Sequence, residues 1–266
     1  MRQPVAVVIS IGLLAVTGLA AAENDAMRFN AERDLLALHY DHAPDQDDGH
    51  SAAADRTLIE SLFGAEWISR HVLPVSGAYG KNKRSFNANS DAVMDAVWNE
   101  RGGWVAADRD WDTAVKAVYK RWRTTLAAGG NVYVKEGGQS DITAAVVKLL
   151  RQEHPEIATR QRSHVVQHSD WNENQTTREA LEYVKDNTRY VRISDANAYL
   201  NVKGGDAAFE KAATAHPVFG VAWQAAFEYY PPAERLDFSD TGELLHILGL
   251  GEMGIEDFRK RFLDAR

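Results

Sequence analysis

Cysteine is absent from the 266-residue chain, methionine occurs only four times and proline seven. The missing thiols exclude disulfides, thiolate catalysis and cysteine-ligated zinc, so stability must come from core packing or from an ion held by other ligands. Positive charge is also in short supply. Thirty Lys and Arg face 38 Asp and Glu, a formal net charge of −8, and a nucleic-acid backbone calls for the opposite balance. KNKR at 81–84 is too short a basic run to reverse this, and no nucleic-acid polymer is expected as a partner. No stretch beyond the N-terminus is apolar enough to span a bilayer.

The N-terminus itself carries Arg2, an apolar stretch from Val5 to Leu19, and Ala20-Ala21-Ala22 ahead of Glu23. That order reads as a secretory signal peptide, residues 1–22, cut near Ala22. An uncleaved anchor fits less well, because the run falls short of the roughly 20 apolar residues a spanning helix needs. The expectation is an exported chain, residues 23–266, periplasmic or secreted, with no membrane span once the leader is removed.

What the chain does have is apolar material: 45% hydrophobic residues, including seven tryptophans, enough for one sizeable core. LLALHY (35–40), HVLPVSG (71–77), NVYVKE (131–136), SHVVQHS (163–169) and RYVRIS (189–194) are short runs rich in β-branched or aromatic residues, and read as strands. Helical patterns lie between them. The clearest, Asp110 to Ala127, sets Trp111, Val115, Val118, Tyr119, Trp122 and Leu126 at three- and four-residue spacing. Others fall near 50–63, 88–100, 140–152, 176–187 and 206–228. Alternating strands and helices predict a single α/β domain with a mostly parallel central sheet flanked by helices. Trp98, Trp104, Trp111 and Trp122 are expected mainly in the core. YYPPAER (229–235) reads as a proline-stiffened connection without chemistry.

In such a sheet, ligands sit beyond the carboxyl ends of the strands. The residues that follow the predicted strands are consistently polar. HYDHAPDQDDGH (39–50) packs four aspartates and three histidines together, GGQSD (137–141) follows the third strand, and HSDWNEN (168–174) follows the fourth. FSDTGELLHILGLG (238–251) adds a further acidic turn, where Asp240 could simply cap the next helix. Four crowded carboxylates repel one another unless a cation neutralises them or they divide work on a substrate.

The order of strand, Asp-rich loop ending in Asp47-Asp48, GG-x-Ser-Asp turn and late isolated Asp240 resembles the nucleoside hydrolase superfamily, especially its secreted bacterial branch, over about 35–248. The resemblance implies a calcium ion held by carboxylates of the first loop, by the backbone carbonyl of Ser140 and by Asp240. Asp41, Asp45, Asp47 and Asp48 are the loop's candidates for that shell. It also implies an aspartate that activates water, and a segment contacting the sugar, for which Asp170, Asn172, Glu173 and Asn174 are the loosely matching positions. Asp141 and Asn82 are further candidates for ligand contact.

Two registers are open for the water-activating aspartate. Aligned on Asp47-Asp48 without a gap, the family's position falls on Ala43, which cannot act as a base. Aligned on the strand end, it falls on Asp41, which directly follows the apolar run and is the preferred assignment. His168, at another strand end, could serve as an acid toward a leaving group or make a structural hydrogen bond.

The carboxylate chemistry stands without the family, since calcium takes six to eight oxygen ligands of these types. An EF-hand does not fit: starting at Asp45, its glycine and closing glutamate fall on His50 and Arg56. Zinc is the alternative ion, with His39, His42 and His50 beside the aspartates. Three functions follow in order. The first is an exported calcium-dependent hydrolase of an N-glycosidic or related glycosidic bond. The second is a non-catalytic metal-containing protein that binds a sugar or nucleoside-like ligand. The third, a metal phosphohydrolase, lacks a basic phosphate cradle. Association with further copies is left open by the sequence.

Overall fold

The computed structural model describes residues 28–264 apart from 82 and 169. Six strands form one sheet: β1 (Leu35–Tyr40), β2 (Val72–Ser76), β3 (Val105–Ala106), β4 (Val132–Gly137), β5 (Ser163–Gln167) and β6 (Arg189–Arg192). Their order is β3-β2-β1-β4-β5-β6, and every neighbouring pair is parallel. Parallel strands need crossover connections, which here are helices laid on both faces. That explains why all six residues of β1 and all six of β4 are buried.

Side chains alternate between the two faces. Leu36, Leu38, Tyr40 and Tyr133 enter one core with Trp98, Trp223 and Phe238. Leu35, Ala37, Val132 and Val134 enter the other with Val118, Trp122 and Leu126. The second core is supplied by helix Trp111–Ala127, which begins at Asp110: its Oδ1 accepts from the Thr113 amide at 3.0 Å. Val115, Val118, Trp122 and Leu126 are buried along the expected face, while Trp111 and Tyr119 are half-buried at its margin.

The five predicted strands are present, the first with its expected ends and the others with an end moved by one or two residues. The expected helix over 206–228 is two helices, Ala207–Ala215 and Gly220–Tyr229. Pro217 parts them: it lacks an amide hydrogen and forces the preceding residue out of helical geometry. His216 is accordingly extended, at φ −67° and ψ 128°. Two short strands, β7 (Asn201–Lys203) and β8 (Arg235–Asp237), pair antiparallel apart from the main sheet, so YYPPAER leads directly into a strand. Trp98 and Trp122 are fully buried, but Trp104 is half-buried, donating to Asp95 Oδ1 at 2.8 Å, and Trp111 stacks on Tyr79.

β1 and β4 are central and run in register from Leu35 opposite Val132 to Tyr40 opposite Gly137. The chain steps outward from β1 through β2 and β3 on one side, and from β4 through β5 and β6 on the other. The crevice beyond the carboxyl ends at such a reversal is the favoured ligand site of open α/β sheets. Among the described residues no helix is long and apolar enough to cross a membrane. The expected leader, residues 1–22, lies outside the described residues.

Candidate functional site

A cleft of about 200 Å³ opens at this reversal, with Asp41, Asp45, Asp47, His168, Asn172 and Asp240 on its wall. Asp41 follows the last residue of β1. Its Oδ1 accepts from the Ala43 amide at 3.0 Å and its Oδ2 from Gln139 Nε2 at 2.5 Å. Gln139 also donates to Asn172 Oδ1 at 3.3 Å and accepts from the Gly80 amide at 3.0 Å, so one side chain ties three loops to the catalytic candidate. The two glycines before it permit that approach. A Cβ on Gly138 would stand 2.6 Å from the Ala78 carbonyl oxygen and 3.0 Å from Asp41 Cβ.

The loop after Asp41 turns through His42, whose φ of 50° is unusual for a residue with a side chain. Asp48 Oδ2 accepts from the His42 amide at 2.5 Å, and Asp47 Oδ1 accepts from the Asp48 amide at 3.1 Å as helix Asp48–Phe63 begins. Asn87 braces the same loop from outside, with Nδ2 2.8 Å from the His42 carbonyl oxygen and 3.0 Å from that of Asp45.

These carboxylates are crowded, with Asp41, Asp48 and Asp240 buried and Asp45 and Asp47 half-buried. Burial, with Asp45 adding repulsion, lifts Asp47 well above the usual carboxylate range, and burial with Asp41 nearby does the same to Asp48. Burial pushes Asp41 up to about 6, against hydrogen bonds from Gln139 and the Ala43 amide that pull it down. Asp237, on the same wall, is likewise raised by burial to about 6. Asp240 is the opposite case: burial would raise it, but Lys135 and His168 hold it below the usual range.

Asp240 makes no side-chain cap bond to the helix it precedes, Thr241–Ile247, so the simple capping role is set aside. Its Oδ1 meets His168 Nε2 at 2.9 Å and its Oδ2 accepts from Ser51 Oγ at 3.4 Å. His168 Nδ1 lies 3.4 Å from Asp195 Oδ1, which puts the ring between two carboxylates.

The other sequence candidates divide between wall and scaffold. Ser140 lies off the wall; its carbonyl accepts from the Ala144 amide at 2.8 Å, and its Oγ is buried without a partner. Asp141 spends both oxygens on Thr177, at 2.6 Å from Oγ1 and 3.1 Å from the amide. Asp170 pairs with Arg192, and Glu173 accepts from Tyr190 and Lys185, each at 2.8 Å. The Asn174 carbonyl accepts from Lys81 Nζ at 2.9 Å. Of the four positions expected to contact the sugar, Asp170, Asn172, Glu173 and Asn174, it is Asn172 that lines the wall; Asn82 lies outside the described residues. Trp171, Asn197, Arg235, Asp237 and Ser239 also line the cleft, and sequence reasoning did not select them. Asp237 and Ser239 flank the motif around Asp240, which was the available signal.

The three histidines of the first loop point to separate partners. His39 Nδ1 meets Glu136 Oε1 at 2.8 Å. His50 uses both ring nitrogens, on the Tyr230 carbonyl and the Asp237 amide. His42 Nδ1 lies 3.3 Å from the Tyr229 hydroxyl. Among the described residues, no three His, Asp or Glu side chains are gathered around one point as a ready cage. The oxygen donors nevertheless suit a hard cation. Asp48 Oδ1 is buried without a hydrogen-bond partner, and Asp41, Asp47, Asp48 and Asp240 repel one another at short range.

Comparison with protein-family models, with curated proteins and with solved structures gives no match. What the structure defines is therefore a class of architecture: an α/β protein with a six-stranded parallel sheet and an acidic cleft at its chain reversal.

Proposed function

We propose that the chain hydrolyses a glycosidic bond of a small sugar or nucleoside-like ligand in this cleft. The observation that carries the reading is the convergence of Asp41, His168, Asn172 and Asp240 on one small volume beyond β1 and β4. Carboxylates and an amide are suited to the hydroxyls of a sugar, and the exposed Trp171 at the rim offers a face on which a ring can stack. Asp41 is the base toward water. Its carboxylate is oriented by the Ala43 amide and by Gln139, as a positioned base must be. His168, held by Asp240, is the acid candidate at the end of β5, on the same rim of the sheet.

Asp47, Asp48 and Asp240 are the residues that would hold a calcium ion. When bound, such an ion polarises and orients ligand oxygens. The reading leans on the chemistry of these residues and on the resemblance of their order to nucleoside hydrolases.

The test is turnover of a panel of nucleosides and aryl glycosides by wild type and by Asp41→Asn, with folding monitored by circular dichroism. Metal-dependent hydrolysis by wild type, lost in a folded D41N protein, is the expected result. Undiminished turnover by D41N removes Asp41 from the role. A second reading, a binding protein without hydrolysis, draws on Ala43, which lines the cleft where the ungapped family register places the base. Saturable ligand binding by wild type with no turnover of any panel member would favour it.

A further inference from the structure

Under the cleft floor, on the face of the sheet that packs against helices Asp48–Phe63 and Thr241–Ile247, β4 carries Lys135. Its side chain is fully buried. Nζ stands 3.4 Å from Asp55 Oδ2 and 4.1 Å from the centre of the Tyr40 ring, yet makes no hydrogen bond. A Cβ on Gly137, a residue of the cleft wall, would fall 2.5 Å from Nζ. The ammonium is thus separated from the cleft by the thickness of one glycine.

A lone buried lysine ordinarily gives up its proton, because a charge in a dry interior is expensive. Here the opposite holds: despite burial, Asp55, Asp240, Asp48 and Glu243 keep the Lys135 ammonium above the usual lysine range. Asp55 is already well supplied with donors, with Oδ2 accepting from the Tyr40 hydroxyl at 2.7 Å and Oδ1 from Thr241 Oγ1 at 2.8 Å. Asp48 keeps one buried oxygen without a partner. Nζ therefore faces several carboxylates through their field and is committed to none of them by a hydrogen bond.

We infer that Lys135 is the permanent internal cation of this cleft, compensating Asp48, Asp55 and Asp240 from below and weakening the hold of Asp48 and Asp240 on any added divalent cation. The first part stands on the burial and placement of the ammonium. The second rests on the cation reading of the proposed function. Cleft carboxylates can then stay together when no metal is bound, and a metal, when it binds, meets a centre that already carries one positive charge.

The experiment pairs thermal unfolding in EDTA with calcium titration by calorimetry, for wild type, Lys135→Met, Asp55→Asn and the double variant Lys135→Met with Asp55→Asn. K135M is expected to melt below wild type in EDTA, to regain much of the difference in calcium, and to bind calcium at least about tenfold more tightly, as removal of a like charge from a partly desolvated site implies. A K135M protein as stable as wild type in EDTA overturns the compensating role. Calcium affinity equal to or weaker than wild type overturns the competing role. If K135M does not fold alone, the double variant is compared with Asp55→Asn, from which it differs by the ammonium alone: tighter calcium binding by the double variant is expected, and equal or weaker binding overturns the competing role. A wild type and K135M that both ignore calcium, with K135M still destabilised in EDTA, would defeat the metal reading while upholding Lys135 as the internal cation.

Discussion

His168 Nε2 and Asp240 Oδ1 lie 2.9 Å apart, joining the end of β5 to the turn that opens helix Thr241–Ile247 across 72 residues of sequence. Both side chains are buried, and the His168 amide adds a bond to Glu243 Oε1 at 2.9 Å from the same helix. Contacting, desolvated partners of this kind are energetically coupled. A double-mutant cycle on His168→Phe and Asp240→Asn should give an interaction energy of about 1–3 kcal/mol by denaturant unfolding. Additive effects would mean that the two residues stabilise the cleft independently.

Gly138 is required by crowding, not by backbone freedom. Gly138→Ala would drive a methyl into the Ala78 carbonyl oxygen and against Asp41 Cβ, and neither backbone nor Asp41 can yield without moving the cleft wall. The variant should lose about 1–3 kcal/mol, the usual range for forcing atoms into a filled interior. Under the proposed function it should also lower hydrolysis more than its loss of stability explains, because Asp41 moves with it. A stable variant with wild-type turnover would show that the turn can relax outward.

Acid sensitivity has one clear contributor away from the cleft. His164 on β5 lies flat against Tyr133, with ring centroids 4.3 Å apart and planes 8° from parallel. Burial, with Arg189 adding repulsion, pushes its pKa down to about 4. An unfolded histidine titrates near ~6.5, so as pH falls through this interval the unfolded chain binds the proton first. The folded state then loses up to about 1.4 kcal/mol per pH unit between about 6.5 and about 4. His164→Phe keeps the stacked ring without the titration. Its unfolding free energy should fall less than that of wild type when the pH is lowered from about 7 to about 4.5. An identical slope in the two proteins would assign the sensitivity elsewhere.

Much of this architecture is legible locally. LLALHY and NVYVKE read as buried strands because their apolar runs meet two covered faces, and Asp41 is found at once as the residue after the first run. Lys135 and Glu136 were passed over within NVYVKE, although a strand buried on both faces holds charges only where each has a partner. What periodicity does not disclose is pairing over distance. Gln139 reaches Asp41 across 98 residues and Asn172 across 33, and no local pattern marks a glutamine as the joint between three loops. Arg235 falls in YYPPAER, read as a connection without chemistry, yet it lines the cleft; its strand, β8, is three residues long and is defined only by pairing with β7. Asp141 and Glu173 looked like ligand contacts because acidity after a strand suits both binding and scaffold; their bonds to Thr177, Tyr190 and Lys185 assign them to the scaffold.

Asn87 offers a way to loosen the cleft without touching its wall. Its amide nitrogen reaches the carbonyl oxygens of His42, Pro44 and Asp45, at 2.8, 3.3 and 3.0 Å, and its backbone amide donates to His42 as well. With only two amide hydrogens for three acceptors, the side chain acts as a shared clasp over the loop that carries Ala43 and Asp45 into the cleft. Asn87→Ala removes the clasp and keeps the backbone bond. It should lower stability by about 1–2 kcal/mol, the scale of one or two partly buried hydrogen bonds. The same loss should raise amide exchange locally over residues 42–48, where hydrogen exchange read by mass spectrometry can separate loop release from global unfolding. Faster exchange confined to that loop, with weaker calcium binding, would tie the clasp to the acidic centre. Exchange raised equally across the sheet would make Asn87 a general stabiliser with no special hold on the cleft.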